Sequence, residues 1–123
     1  MSIRRIKSGG QFEDKVGYCR AVVANGFVFV AGTTAQGAEI PADVEGQCRS
    51  ALRTIEAALK EAGASMADVV RVNYILPDHR DFPACWPLLA ETFGANPPAA
   101  TMIESGLLDP RYLIEIEVTA ALP

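Results

Sequence analysis

The chain has one histidine, His79, and three cysteines, Cys19, Cys48 and Cys85, far apart from one another. That set cannot supply clustered ligands of the kind a zinc site uses, so no metal is expected. An odd number of scattered cysteines makes no disulfide framework, and reduced thiols in the cytoplasm are the expectation. No apolar run approaches the length needed to cross a bilayer. The first ten residues carry Arg4 and Arg5 but no apolar stretch behind them, so they do not read as a signal peptide. Basic residues are also in short supply, with 11 Lys and Arg against 15 Asp and Glu, for a net charge of −4. Phosphate recognition needs a concentrated basic surface, and the cluster Arg4, Arg5 and Lys7 is too short to provide one, which argues against nucleic acid.

What is present is ordinary globular material. The 123 residues are 50% hydrophobic and 21% charged, enough for one domain spanning residues 1–123 and hardly two. A core of this size is adequate without being generous, which leaves room for association with further copies. Residues 16–23 and the run Phe27–Gly32 are β-rich and separated by Asn25-Gly26, a pair that accepts positive φ cheaply, so a β-hairpin is predicted. Asp43 offers an N-cap oxygen. After it Val44, Cys48, Ala51, Leu52, Ile55, Ala58, Leu59 and Ala62 recur at three- and four-residue steps until Gly63, an amphipathic helix with its stop signal. Residues 69–76 form a strand, with Arg71 and Asn73 on one face and Val70, Val72 and Tyr74 on the other. Asp81 can cap a second helix carrying Phe82, Cys85, Trp86, Leu89 and Phe93. Pro87 requires that helix either to begin near Ala84 or to kink. Strands are predicted at 99–104 and 112–121. The order β-β-α-β-α-β-β indicates an α+β fold with both helices on one face of a mixed sheet.

Four stretches carry a resemblance. Tyr18 with Arg20-Ala21-Val22, followed by Phe27 to Gly32, resembles the opening hairpin of the RidA/YjgF family. Val44–Gly63 resembles its first helix, and Val69–Phe82 its next strand and turn. Pro98-Ala99-Ala100-Thr101 through Ile114-Glu115-Ile116-Glu117 is similar to the "P-A-R-S/T … I-E-I-E" signature without a gap. The resemblance implies a chorismate-mutase-like fold and a homotrimer with ligand clefts between subunits. It also implies cofactor-free hydrolysis of enamine or imine intermediates, such as 2-aminoacrylate, to keto acid and ammonia. By the same resemblance Tyr18 matches the pocket tyrosine. Ala31 and Gly32 match the pair whose backbone faces the cleft, and Glu115 matches the glutamate that positions water. Trp86 stands where deaminating members carry asparagine, and Thr101 and Met102 follow the signature arginine. The arginine itself is Ala100.

A methyl group cannot replace the charged fork that grips a carboxylate. Losing such a desolvated pair costs roughly 2–5 kcal/mol of binding. Arg20, two residues beyond Tyr18 on an extended segment, is a candidate replacement, set against the alternative of a surface or interface salt bridge. A third option is a ligand that is not a carboxylate. Tyr18 can instead be an interface aromatic and Trp86 a core residue, while Glu117 fits a solvated strand face. Glu115 is read as functional, needing partial burial to handle a proton near neutrality. The cysteines are expected as small buried hydrophobes. His79 is expected in a solvated turn, and Arg111 in an exposed turn within reach of a neighbour's cleft. Three functions follow as expectations: an imine deaminase, a non-catalytic or differently catalytic small-molecule binder, and, against the charge balance, a ribonuclease or translation inhibitor.

Overall fold

The structure, a computed structural model, describes residues 2–123. Strands β1 (Arg4–Ile6), β2 (Ala21–Ala24), β3 (Phe27–Thr33), β4 (Val69–Leu76), β5 (Ala99–Glu104) and β6 (Glu115–Ala121) form one six-stranded sheet in the order β1-β2-β3-β6-β4-β5. Only β4 and β5 run parallel. Helices α2 (Val44–Ala62) and α3 (Trp86–Phe93) bury Ile55, Leu59, Leu89 and Phe93 in the same core as Val28, Val72, Ile116 and Val118. Both helices therefore lie on one face of the sheet, as the element order implies.

The predicted punctuation is present. Asn25 and Gly26 take φ of 53° and 81° at the β2–β3 turn. The Asp43 side chain accepts a hydrogen bond from the Gly46 amide at 2.8 Å, and Gly63 ends α2 at φ 92°. Pro87 falls in the first turn of α3, where its missing N–H costs nothing. A 3-10 stretch, His79–Cys85, precedes that helix, and its cap is Asp78, not Asp81.

Other elements differ from expectation for local reasons. Residues 16–20 are not strand, because Glu13–Val16 forms a helical turn, α1, closed by Gly17 at φ 90°. Strand β1 is only three residues long and carries too little pattern to signal itself. The last strand begins at Glu115, not 112. A register shift between Val69 and Arg71 against β6 turns Val70 outward, away from Val72 and Tyr74. Among the described residues no helix covers the opposite face of the sheet, and there Phe27 and Phe29 stand exposed with ring centroids 6.2 Å apart.

Candidate functional site

The site begins with an irregularity. Val30 pairs with Val118 and Thr33 with Ile116, so β3 spends one residue more than β6 over this interval. The resulting bulge at Ala31 and Gly32 bends the strand and opens its backbone at the end of the sheet. The Thr33 hydroxyl bridges the bulge by donating to the Ala31 carbonyl at 2.8 Å. The bare backbone of Gly32 lets the Glu115 carboxyl sit directly on it, since a Cβ at this position would lie 2.9–3.2 Å from the three outer atoms of that group.

Above this floor lies a cavity of about 370 Å³. Tyr18, Arg20, Gly32 and Glu115 form its base, and its lips are the loops 9–12, 34–40 and 108–112. Gln47, fully buried on α2, ties two of the lips together. Its amide donates to the carbonyls of Pro41 at 2.8 Å and Arg111 at 2.9 Å, and its oxygen accepts from the Leu113 amide at 2.7 Å. The third lip is fastened by Glu13, which accepts from the amides of Ser8 and Gly10 and from the Ser8 hydroxyl.

Glu13, which fastens that lip, and Arg20 of the base are both buried ions, 3% and 2% exposed, with Glu13 Oε2 3.7 Å from Arg20 Nη2. Arg20 is therefore not a surface residue. Its Nη1 donates to the Gly32 carbonyl and to the Thr33 hydroxyl, both at 2.8 Å, and Nη2 donates to the Tyr18 hydroxyl at 3.3 Å. The guanidinium also lies 5.5 Å from the centre of the Tyr18 ring. Of its three side-chain nitrogens, Nε is the one without a hydrogen-bond partner among the described residues. Arg20 thus lines the cleft while its donors are committed to building it. Burial pushes the Glu13 carboxyl up, but the bonds from Ser8 and Gly10, with the charge of Arg20, outweigh this and hold it below the usual glutamate range.

Glu115 has the opposite environment. Its half-buried carboxyl accepts no hydrogen bond from the described residues. Burial first, then the neighbouring Glu117, pushes its pKa up, while Arg20 pulls less strongly the other way. Glu117 itself accepts from the Asn73 side chain at 2.9 Å across the β4–β6 pairing, so it is more than a solvated strand residue. Arg111 lines the rim of this same chain's cleft, closed on Asp109 through Nε–Oδ1 at 3.1 Å and Nη2–Oδ2 at 2.9 Å. That pairing holds Asp109 down at about 2.

The remaining predicted residues lie elsewhere. Ala100 stands opposite Val72, which stands opposite Val118, so it faces the helix side and is separated from Glu115 by β4. With Trp86 it lines an open apolar groove that includes Tyr74, Phe82 and Phe93. Trp86 is 55% exposed, set edge-on to Phe82, so it is not a core residue. Thr101 accepts from Arg71 on the exposed edge strand, and Met102 packs partly against the core. Cys48 and Cys85 are buried as expected and Cys19 only partly so, and all three thiols are free. His79 is exposed, its Nδ1 2.6 Å from a Glu104 carboxylate oxygen. Glu13 and Gln47 escaped the sequence reading. For Gln47 a signal existed, since it falls on the inward stripe between Val44 and Ala51.

The family model described as endoribonuclease L-PSP, which corresponds to RidA/YjgF, matches residues 10–122. The chain belongs to the RidA/YjgF family. A RutC family protein of Pyrococcus horikoshii is 36% identical over 107 residues, covering 84% of this RidA/YjgF chain and 85% of its own. A Streptomyces coelicolor protein is 33% identical over 123 residues, covering 97% and 92%. A crystal structure of a YjgF/YER057c/UK114 family member from Mycobacterium tuberculosis superposes with TM-score 0.91 at 41% identity, covering 98% of this chain and 100% of that one. Yeast Mmf1, at 20% identity and TM-score 0.86, shares the fold.

Proposed function

We propose that this RidA/YjgF chain binds a small metabolite in the Glu115 cleft and hydrolyses C=N bonds there, releasing ammonia and a carbonyl compound without a cofactor. The observation that carries the reading is the Glu115 carboxyl, seated on Gly32, half-buried and without a hydrogen-bond donor. A carboxylate of raised basicity suits proton transfer near neutrality. In this scheme water adds its oxygen to the iminium carbon and gives a proton to Glu115. The protonated Glu115 then returns that proton to the nitrogen of the carbinolamine. The C–N bond breaks with its electron pair going to nitrogen, the carbonyl forms, and the released ammonia takes the hydroxyl proton to become ammonium. The cavity volume fits a small metabolite.

A homotrimer is part of the proposal. Exposed Phe27 and Phe29 on the helix-free face of the sheet are surface another copy can cover. Ala100, Thr101 and Met102 on edge strand β5 reach a cleft only if it belongs to another copy. A cytoplasmic location agrees with the three free thiols. Among the described residues no helix is long and apolar enough to cross a membrane. Nucleic-acid chemistry fits poorly with a net charge of −4.

The test is ammonia release from imines generated in situ, comparing the parent protein with Glu115→Gln. General acid–base catalysis is worth roughly 100-fold or more, and the variant should lose about that factor. No acceleration by the parent across imines of several amines and amino acids would remove the deaminase reading. The second reading, a binder that does not turn over, is favoured by Ala100 and by the commitment of Arg20 to the scaffold. It predicts ligand binding without ammonia release.

A further inference from the structure

Both arginines of the cleft are matched by carboxylates of their own. Arg20 is paired with Glu13 and bound to Gly32, Thr33 and Tyr18, at 2% exposure. Arg111 is closed on Asp109 through two contacts. Among the described residues, Glu115 is the carboxylate at the base of the cleft with neither an ion-pair partner nor a hydrogen-bond donor of its own. A second carboxylate brought onto this base would meet Glu115 in a half-desolvated space, where like charges repel strongly. An ammonium, amidinium or iminium group would supply the missing counter-charge and the donors that Glu115 lacks.

We infer that the cleft selects a small cationic nitrogen compound without a carboxylate, held through its N–H donors by Glu115. The inference rests on the reading that this cleft is the ligand site, and it narrows the substrate class. An iminium made by oxidation of a simple amine fits the cleft. One made from an amino acid, with its carboxylate retained, does not.

Two probes of matched size and opposite charge, benzylammonium and benzoate, test this on the whole protein. Amide chemical shifts report where each binds and titrations report how tightly. Benzylammonium should shift Gly32, Glu115 and the residues of the three lips, and benzoate should bind at least about tenfold more weakly. Glu115→Gln should weaken benzylammonium by on the order of tenfold, the scale of one charge-assisted hydrogen bond. With the parent protein, lowering the pH through the raised Glu115 titration should release benzylammonium, so the test does not depend on one variant folding. The charged and titratable groups facing Glu115 are Arg20 and Tyr18 below, Glu117 along β6, and the Arg111–Asp109 pair with Tyr112 at the rim. Across β4 its partner is the uncharged Ile75.

Benzoate binding in the cleft as tightly as benzylammonium would overturn the charge preference and leave the cleft as the ligand site. Benzylammonium held equally well by Glu115→Gln at every pH would overturn it too. If neither probe moves any cleft amide, the ligand-site reading fails together with the inference.

Discussion

The two ends of the sheet solve different problems. Around β2, β3 and β6 the chain buries charge and polar groups in matched sets: Arg20 with Glu13, Gln47 with three backbone partners, and a bulge that leaves Gly32 bare for Glu115. Around β4 and β5 it leaves an open apolar groove walled by Tyr74, Phe82, Trp86, Phe93 and Ala100. A matched buried network fixes geometry at the expense of tolerance, since removing one member strands the others. An open apolar groove does the reverse, because solvent and neighbours adjust to a changed side chain. Rigidity belongs to the first end, which is where the proposed chemistry is placed.

Substitutions should separate the two ends sharply. Arg20→Leu leaves Glu13 buried without its counter-ion and takes donors from Gly32, Thr33 and Tyr18. A loss of about 3–5 kcal/mol in denaturant unfolding is expected, partly recovered in the double variant Arg20→Leu/Glu13→Gln. Gln47→Ala unties the lips at Pro41 and Arg111 and leaves the Leu113 amide without its acceptor. It should cost about 1–3 kcal/mol and raise amide exchange in loops 34–41 and 108–113. At the other end, Trp86→Ala removes a largely exposed ring and should change stability by less than about 1 kcal/mol. A cost from Trp86→Ala equal to that of Arg20→Leu would erase the contrast. Gly32→Ala is the smallest in stability, because its Cβ meets only the flexible end of Glu115. It should nevertheless displace that carboxyl and abolish the response to ligand.

Glu115 at the base of the cleft and Glu13, which fastens one of its lips, sharpen the comparison through pH. Glu13 is held below the ordinary glutamate value, so its contribution to stability is present above that value and is lost as pH falls through its folded titration. Glu115 is pushed above it, so stability falls as pH rises through its folded titration. Glu115→Gln should therefore be more stable than the parent near neutrality. Its advantage should vanish at pH below the ordinary glutamate range. Urea unfolding of parent and variant across pH 3 to 8 checks both signs.

Much of this is legible in the sequence, for identifiable reasons. Helix α2 is announced by Asp43, an apolar stripe and Gly63, all local signals. The Asn25-Gly26 turn is equally local, and the resemblance brought Tyr18, Gly32 and Glu115 to one place. Gln47 was legible only as a polar residue on the inward stripe of α2, since two of its partners lie 64 and 66 residues away, while Glu13 sits in a Gly-rich segment with no periodicity to announce that Ser8, Gly10 and Arg20 enclose it. Val70 departs from the face its alternation implies because a bulge, invisible in the sequence pattern, flips one residue of β4. The departure at Ala100 was visible at once, but its consequence was not. Arg20 is structurally committed, so it forms part of the cleft scaffold and is not a free clamp.

The most direct test of the account is the pH–rate profile of ammonia release from a carboxylate-free imine, measured for the parent and for Glu115→Gln. The account predicts that the parent rate rises through an apparent pKa above the ordinary glutamate value. Glu115→Gln should lose both that limb and roughly 100-fold of the rate. A variant that keeps the parent's rate and profile would contradict it, and would move the chemistry away from the Glu115 cleft.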